Sequence, residues 1–353
     1  MANQTWTRRA VLSAALGSAA AGVLAPASAS ADGIVPPGAG GPSRSVLPGV
    51  EALTRRTLGH PVRRRVAFGA YVPDPYWDFA GWPADLSTFS RRAGQAPSIV
   101  HWFSAWGVEQ DFPAETASSV VSKGGVPLLT WEPWDWSAGA TQPDYRLSRI
   151  AAGAFDPYVR HFAGQAKAFG APVYLRFAPE MNGDWNPWSE QVNGNRPGEF
   201  VKAWNHVRSV FASAGATNVK WVWTPIVEYG GSTPLAGLYP GDASVDVVGL
   251  DGYNWGSTNK NIGWKSFAEI FGPSLTKVRS LSQKPLWIAE IGCTEEGGSK
   301  AAWVDDMFAT VAADRRVDAL VWFDADKETD WRINSSSSSL TAFQRGLASP
   351  LFR

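Results

Sequence analysis

The chain has 353 residues, its 32 Lys and Arg balance 32 Asp and Glu, and only 18% of its residues are charged. This excludes a basic nucleic-acid binder and a polyacidic tail, and with no apolar run of about 20 residues beyond the N-terminus it excludes a multi-span membrane protein. The single cysteine, Cys293, can form no intrachain disulfide, so stability must come from the core, and the outlier in composition is aromatic: 19 Trp and 8 Tyr.

Residues 1–31 read as a removable bacterial export signal. Arg8-Arg9 follow Trp6-Thr7, an Ala/Leu/Val-rich run covers Ala10 to Ala25, and Ala29-Ser30-Ala31 offers small residues for cleavage. The paired arginines point to the twin-arginine route, which carries folded proteins and suits a chain without disulfides, so a secreted, extracellular protein is expected. Residues 32–64, with Pro36-Pro37-Gly38 and the start of the basic Arg63-Arg64-Arg65, read as a Gly/Pro/Ser-rich linker. Residues 65–353 read as one folded domain.

In that domain a short β-branched or aromatic run recurs, each followed by polar or aromatic residues and then by a longer stretch. The runs are Val66–Tyr71, Ser98–Phe103, Val126–Trp131, Val173–Phe177, Val219–Thr224, Val245–Leu250, Pro285–Glu290 and Asp318–Phe323. Eight strands alternating with helices over about 285 residues predict an α/β protein of the (β/α)8 TIM-barrel class. A doubly wound sheet would need a glycine-rich phosphate turn after its first strand, and Gly69-Ala70-Tyr71-Val72-Pro73 is not one.

Barrel chemistry collects where the strands end. Those ends carry His101 and Trp102, Trp131 and Glu132, Arg176, Glu180 and Asn182, Trp223, Asp251 and Tyr253, Glu290, and Trp322, Asp324 and Asp326. No HExxH, His/Cys cluster or calcium loop occurs, so neither a metal nor another cofactor is expected.

Glu180 and Glu290 stand out because each follows a strongly apolar strand, where a carboxylate is costly unless it is paired or hydrogen-bonded. The fourth and seventh strands face each other across an eight-stranded mouth, so the two side chains can approach one substrate bond from opposite sides. Glycoside hydrolysis needs such a pair, one carboxyl to protonate the leaving oxygen and one carboxylate to attack the anomeric carbon. The bland alternative is two rim salt bridges. Arg176 lies an even four residues before Glu180, and Asp251 and Tyr253 share a strand face, which would let a tyrosine hydroxyl hold Glu290 ionised. Trp131, Trp134, Trp136, Trp185, Trp188, Trp255, Trp322 and Trp331 fall at strand ends or in loops, where each ring stacked on a sugar would contribute roughly 1 kcal/mol, although any one of them also suits a core.

The motifs Thr130-Trp131-Glu132-Pro133-Trp134, Glu180-Met181-Asn182-Gly183-Asp184-Trp185, Tyr239-Pro240-Gly241-Asp242, Asp251-Gly252-Tyr253-Asn254-Trp255-Gly256 and Lys327 through Asn334 resemble glycoside hydrolase family 26. Within that family they are most similar to the β-1,3-1,4-glucanase (lichenase) branch and less so to the β-mannanases. The resemblance implies a (β/α)8 barrel and retaining endo-cleavage of a β-linked polysaccharide, with Glu180 as acid/base and Glu290 as nucleophile. It also implies polar support from Arg176, Asp251 and Tyr253, and sugar contacts from His101, Trp131, Trp185 and Trp322. One departure is Pro179, which stands where the family usually has His immediately before the acid/base and removes a side-chain donor. β-1,3-1,4-glucan is the expected substrate, with β-1,4-mannan and β-1,3-xylan as alternatives, and the mature protein is expected to be a monomer with no nucleic-acid or membrane partner. Two other classes remain open: a non-catalytic carbohydrate-binding protein on the same scaffold, and a thiol hydrolase pairing Cys293 with His60, His101, His161 or His206.

Overall fold

Parallel strands can be joined only by connections that cross back over the sheet, and eight of them tilt enough to close a ring whose interior side chains fill. The computed structural model describes residues 65–73 and 82–352. The export signal expected at 1–31, the linker expected at 32–64 and His60 lie outside the described residues. Strands β1 (Ala67–Tyr71), β2 (Ile99–Ala105), β3 (Val126–Glu132), β4 (Val173–Phe177), β5 (Val219–Trp223), β6 (Val247–Asn254), β7 (Leu286–Cys293) and β8 (Val317–Phe323) form one closed parallel barrel in sequence order, with β8 pairing back to β1.

The helices are α1 (Trp82–Ala93), α2 (Ala114–Ser122), α3 (Leu147–Ala151), α4 (Asp156–Phe169), α5 (Glu199–Ala214), α6 (Phe267–Leu281), α7 (Lys300–Ala313) and α8 (Ser337–Leu347). Their ends follow local chemistry. Ser266 and Glu269 form a reciprocal capping box at α6, Ser299 and Ser336 cap α7 and α8, and left-handed Gly170 ends α4. The β5–β6 connection departs from the expected alternation: its described element is the 3₁₀ turn Leu235–Gly237. Pro225, Gly230-Gly231, Pro234 and Pro240 punctuate that stretch and leave no run long enough for an α-helix.

Two apolar layers result. Ile99, Val126, Leu128, Tyr174, Val222, Val247, Trp287, Ala319 and Val321 come from seven strands and from no helix, and they fill the barrel. A larger cluster joins the opposite strand faces to the helices. The period of two along each strand therefore decides whether a side chain meets the barrel axis or a helix.

Strand β7 breaks that period at the position that matters most. Trp287 points into the barrel and Ile288 into the helix layer, so an uninterrupted strand would turn Glu290 outward. Instead Leu250 pairs with Ile288 and Asp251 with Glu290, while across β8 Leu320 pairs with Ile288 and Trp322 with Ile291. Ala289 is the extra residue of a β-bulge. It resets the alternation and aims Glu290 at the mouth.

Candidate active site

Arg176 on β4 is the centre of the mouth. It is two residues past the barrel-filling Tyr174 and completely buried. Its guanidinium donates from Nη1 to Glu290 Oε1 at 2.5 Å and from Nη2 to Asp251 Oδ2 at 2.6 Å. Burial alone would push its pKa down, but the charges of Asp251 and Glu290 outweigh this and raise it above its ordinary range, so the group is a permanent cation. His101 Nε2 lies 3.4 Å from Arg176 Nη1 and 2.7 Å from Thr130 Oγ1. Thr130 is a site residue missed in the sequence, although its even spacing from Val126 and Leu128 places it on the inward face.

Tyr253 on β6 donates its hydroxyl to Glu290 Oε2 at 2.5 Å. Burial, then the charges of Glu290 and Asp251, raise its pKa well above the usual phenol value, so it stays a donor. One oxygen of Glu290 thus meets a fixed cation and the other a fixed hydroxyl, and both favour the ionised carboxylate.

Glu180 is aimed differently. Strand β4 ends at Phe177, and the next residues leave the ladder in a strained path: Ala178 has φ 46° and Glu180 φ 54°, on either side of Pro179. Left-handed conformations of non-glycine residues cost about 1–3 kcal/mol each and persist where surroundings over-determine them. Here Ala178 N bonds Trp131 O at 3.1 Å, Glu180 N bonds Thr224 O at 2.7 Å, and the buried Trp188 donates to Pro179 O at 2.6 Å. Asn182 clamps the following turn by pairing its amide with both backbone groups of Ile226. A Cβ on Gly183 would sit 2.6 Å from the Trp185 ring, so only glycine lets that ring fold over the turn. Trp185 donates Nε1 to Glu180 Oε2 at 2.9 Å, and Tyr229 stacks on it with ring centroids 5.8 Å apart.

Glu180, Asp251 and Glu290 each present an oxygen within 4.8 Å of the others. Three carboxylates this close resemble a cation site, and the guanidinium bonded to two of them takes the place a metal ion would fill.

The mouth therefore gathers Glu180, Glu290, Arg176, Asp251, Tyr253, His101 and Trp185. It does not gather Trp131 or Trp322. Trp131 is buried on the helix side of β3, stacked on Phe162 at 4.5 Å and bonded to the Tyr158 hydroxyl. Trp322 is buried on the helix side of β8, 5.1 Å from Phe343, with its indole N–H on Trp331 O. Both are one residue out of phase with the inward face, which corrects their expected role as sugar contacts. Trp131→Ala is accordingly expected to cost about 3–5 kcal/mol of stability, read as a lower denaturation midpoint, with no change in KM for a glycan.

Other tryptophans divide similarly. Trp188 and Trp331 are buried, while Trp134 and Trp136 both donate to Glu132 Oε2 at 3.0 Å, a role for Glu132 that its position at a strand end did not disclose. Cys293 is buried beside Asn254 and Thr294, and burial pushes its thiol up to about 12, so no thiolate is available and the thiol-hydrolase reading falls. Its other partners are committed too, His161 to Asp111 and His206 to Asp156.

Paired carboxylates at the C-terminal mouth of a (β/α)8 barrel define the class of barrel glycoside hydrolases. Residues 146–307 match the model of Glycosyl hydrolase family 26. The chain is 36% identical over 269 residues to Endoglucanase H of Acetivibrio thermocellus, covering 74% of this chain but 29% of that protein. It is 23% identical over 224 residues to a mannan endo-1,4-beta-mannosidase of Bacillus subtilis, covering 53% of this chain and 57% of the relative. The chain thus spans less than two thirds of either relative. In structure it is similar to a modular endo-beta-1,4-mannanase of Cellulomonas fimi, with TM-score 0.63, 19% identity, and coverage of 82% of this chain and 72% of the other. Residues 146–307 thus carry a glycosyl hydrolase family 26 domain.

Proposed function

We propose that this domain is a retaining endo-acting glycoside hydrolase that cleaves β-1,3-1,4-glucan in preference to mannan or xylan. The observation that carries the reading is the short approach of Glu180 and Glu290, within 4.8 Å oxygen to oxygen, in unlike surroundings. Carboxyl groups about 5–5.5 Å apart leave no room for a water between acid and sugar, which favours a covalent intermediate and retention. Glu290, fixed by Arg176 and Tyr253, is the nucleophile. Its carboxylate attacks the anomeric carbon while Glu180 gives its proton to the departing glycosidic oxygen. Glu180, then a carboxylate, takes a proton from water as that water displaces Glu290. The Trp185 and Tyr229 rings lie beside the acid, where they could stack on a sugar.

The glucan preference is supported by the greater identity to Endoglucanase H than to the mannosidase. Pro179 brings no side-chain donor in place of the usual histidine, and its carbonyl accepts from Trp188. A polymer of this size must be met outside the cell, in agreement with the export signal read at 1–31. Assays on lichenan, β-glucan, glucomannan, galactomannan and β-1,3-xylan, with products sized and the first-formed anomer read by NMR, test the reading. Mixed oligosaccharides from lichenan, released as the β-anomer, are expected; inversion, or no release from any polymer, overturns it.

Loss of a hydrogen bond to a charged group costs about 1.5–3 kcal/mol. Tyr253→Phe is therefore expected to lower kcat/KM about 10- to 100-fold. It should also move the acid limb of the pH profile upward, because Glu290 then releases its proton at higher pH.

A further inference from the structure

Lys300 is fully buried. It is the first residue of α7, where the positive end of the helix dipole disfavours a cation, and burial pushes its ammonium down to about 8 against the opposing pull of Cys293, Glu295, Asp330 and Asp324. A methionine would fill the same space without either cost, so the charge requires a reason.

Its contacts supply one. Lys300 Nζ donates to Arg332 O at 2.8 Å and to Asp330 O at 3.1 Å, and Trp322 Nε1 donates to the carbonyl between them, Trp331 O, at 2.9 Å. Three successive carbonyls of the β8–α8 loop are thus held from behind by side chains of α7 and β8. The loop is also pinned where Ile333 N meets Asp324 Oδ1 at 2.6 Å and Trp331 N meets Ala325 O at 2.9 Å. Held this way, the buried Trp331 ring lies 5.1 Å from the Tyr253 ring and edge-on to Trp255 at 4.9 Å. A Cβ on Gly292, two residues past Glu290, would come within 2.9 Å of Tyr253 and 3.0 Å of Trp331, so this glycine lets the two rings close together. Tyr253 in turn bonds Glu290.

We infer that Lys300 is a positioning residue for the reaction: it fixes the β8–α8 loop so that Trp331 buttresses Tyr253 and keeps its hydroxyl on Glu290. The inference rests on the proposed function, in which Glu290 is the nucleophile, and it assigns a role to a side chain that touches neither substrate nor reacting atoms.

The test uses the full chain and the polysaccharide that the wild type cleaves fastest. kcat, KM and the pH dependence of kcat/KM are measured for the wild type, Lys300→Met, Tyr253→Phe and the double variant. Trp331→Leu takes the place of Lys300→Met in the same cycle if circular dichroism shows that the latter does not fold. Lys300→Met is expected to lower kcat about tenfold with little change in KM, and to move the acid limb upward as Tyr253→Phe does. In the double variant it should add almost nothing to the loss from Tyr253→Phe, since both act on one hydrogen bond. An acid limb left in its wild-type place, or losses that multiply in the double variant, overturns the inference. A wild type that cleaves none of the glycans overturns the proposed function instead, so the two failures are told apart.

Discussion

Glu290→Ala is expected to lower turnover of every glycan on the order of 10⁴-fold or more, the scale seen when a covalent nucleophile is removed. The reason is geometric. Arg176 and Tyr253 converge on the two oxygens of this one carboxylate, and no side chain among those described at the mouth is equally fixed to replace it. Asp251 remains to pair with the guanidinium, so the variant should fold, which circular dichroism can verify. Azide, small enough to enter the vacated space, should restore cleavage of an activated aryl glycoside and give a product of inverted configuration. Residual activity near the wild-type level, measured as reducing-sugar release, would remove Glu290 from the mechanism.

Glu180→Ala has the second largest expected effect and a different signature. Without the proton donor, hydrolysis of a polysaccharide should fall by about 10²–10⁴. An aryl glycoside with an acidic phenol needs no protonation to leave, so its first step should be almost unaffected. Its second step loses the base, and the covalent intermediate should accumulate as a burst of phenol. Azide here should yield a product of retained configuration, opposite to that from the Glu290 variant. The pair of azide outcomes assigns the two carboxylates independently of any rate.

Much of this site was legible from residue spacing. Eight apolar runs sufficed for a barrel, because parallel strands of that number have few ways to close. Arg176, Asp251 and Tyr253 were legible because β4 and β6 keep a period of two through them, so each shares a face with barrel-filling neighbours. The tryptophans at 131 and 322 show what happens when strand ends are read without that phase: both are at the rim in sequence but turned to the helices, packed on Phe162 and Phe343. Glu290 was also read as a strand end without its phase, and there a bulge brings it to the mouth. Strict alternation from Trp287 would turn it outward, and only the pairing of neighbouring strands reveals the bulge at Ala289.

The path that aims Glu180 and the role of Lys300 were opaque for other reasons. The left-handed Ala178 and Glu180 are imposed by partners on β3 and just past β5 rather than by local preference, since neither residue favours that region. Lys300 looks like an ordinary polar residue opening a helix. Its meaning lies in carbonyls 30 and 32 positions away, which no periodicity can announce.

Ala289 is an inserted residue that the strand absorbs. Losing its codon would join Ile288 directly to Glu290, close the bulge and leave Glu290 facing the mouth by plain alternation. The bulge thus lets the strand carry one residue more than its neighbours need between Ile288 and Glu290 without turning that carboxylate toward the helices.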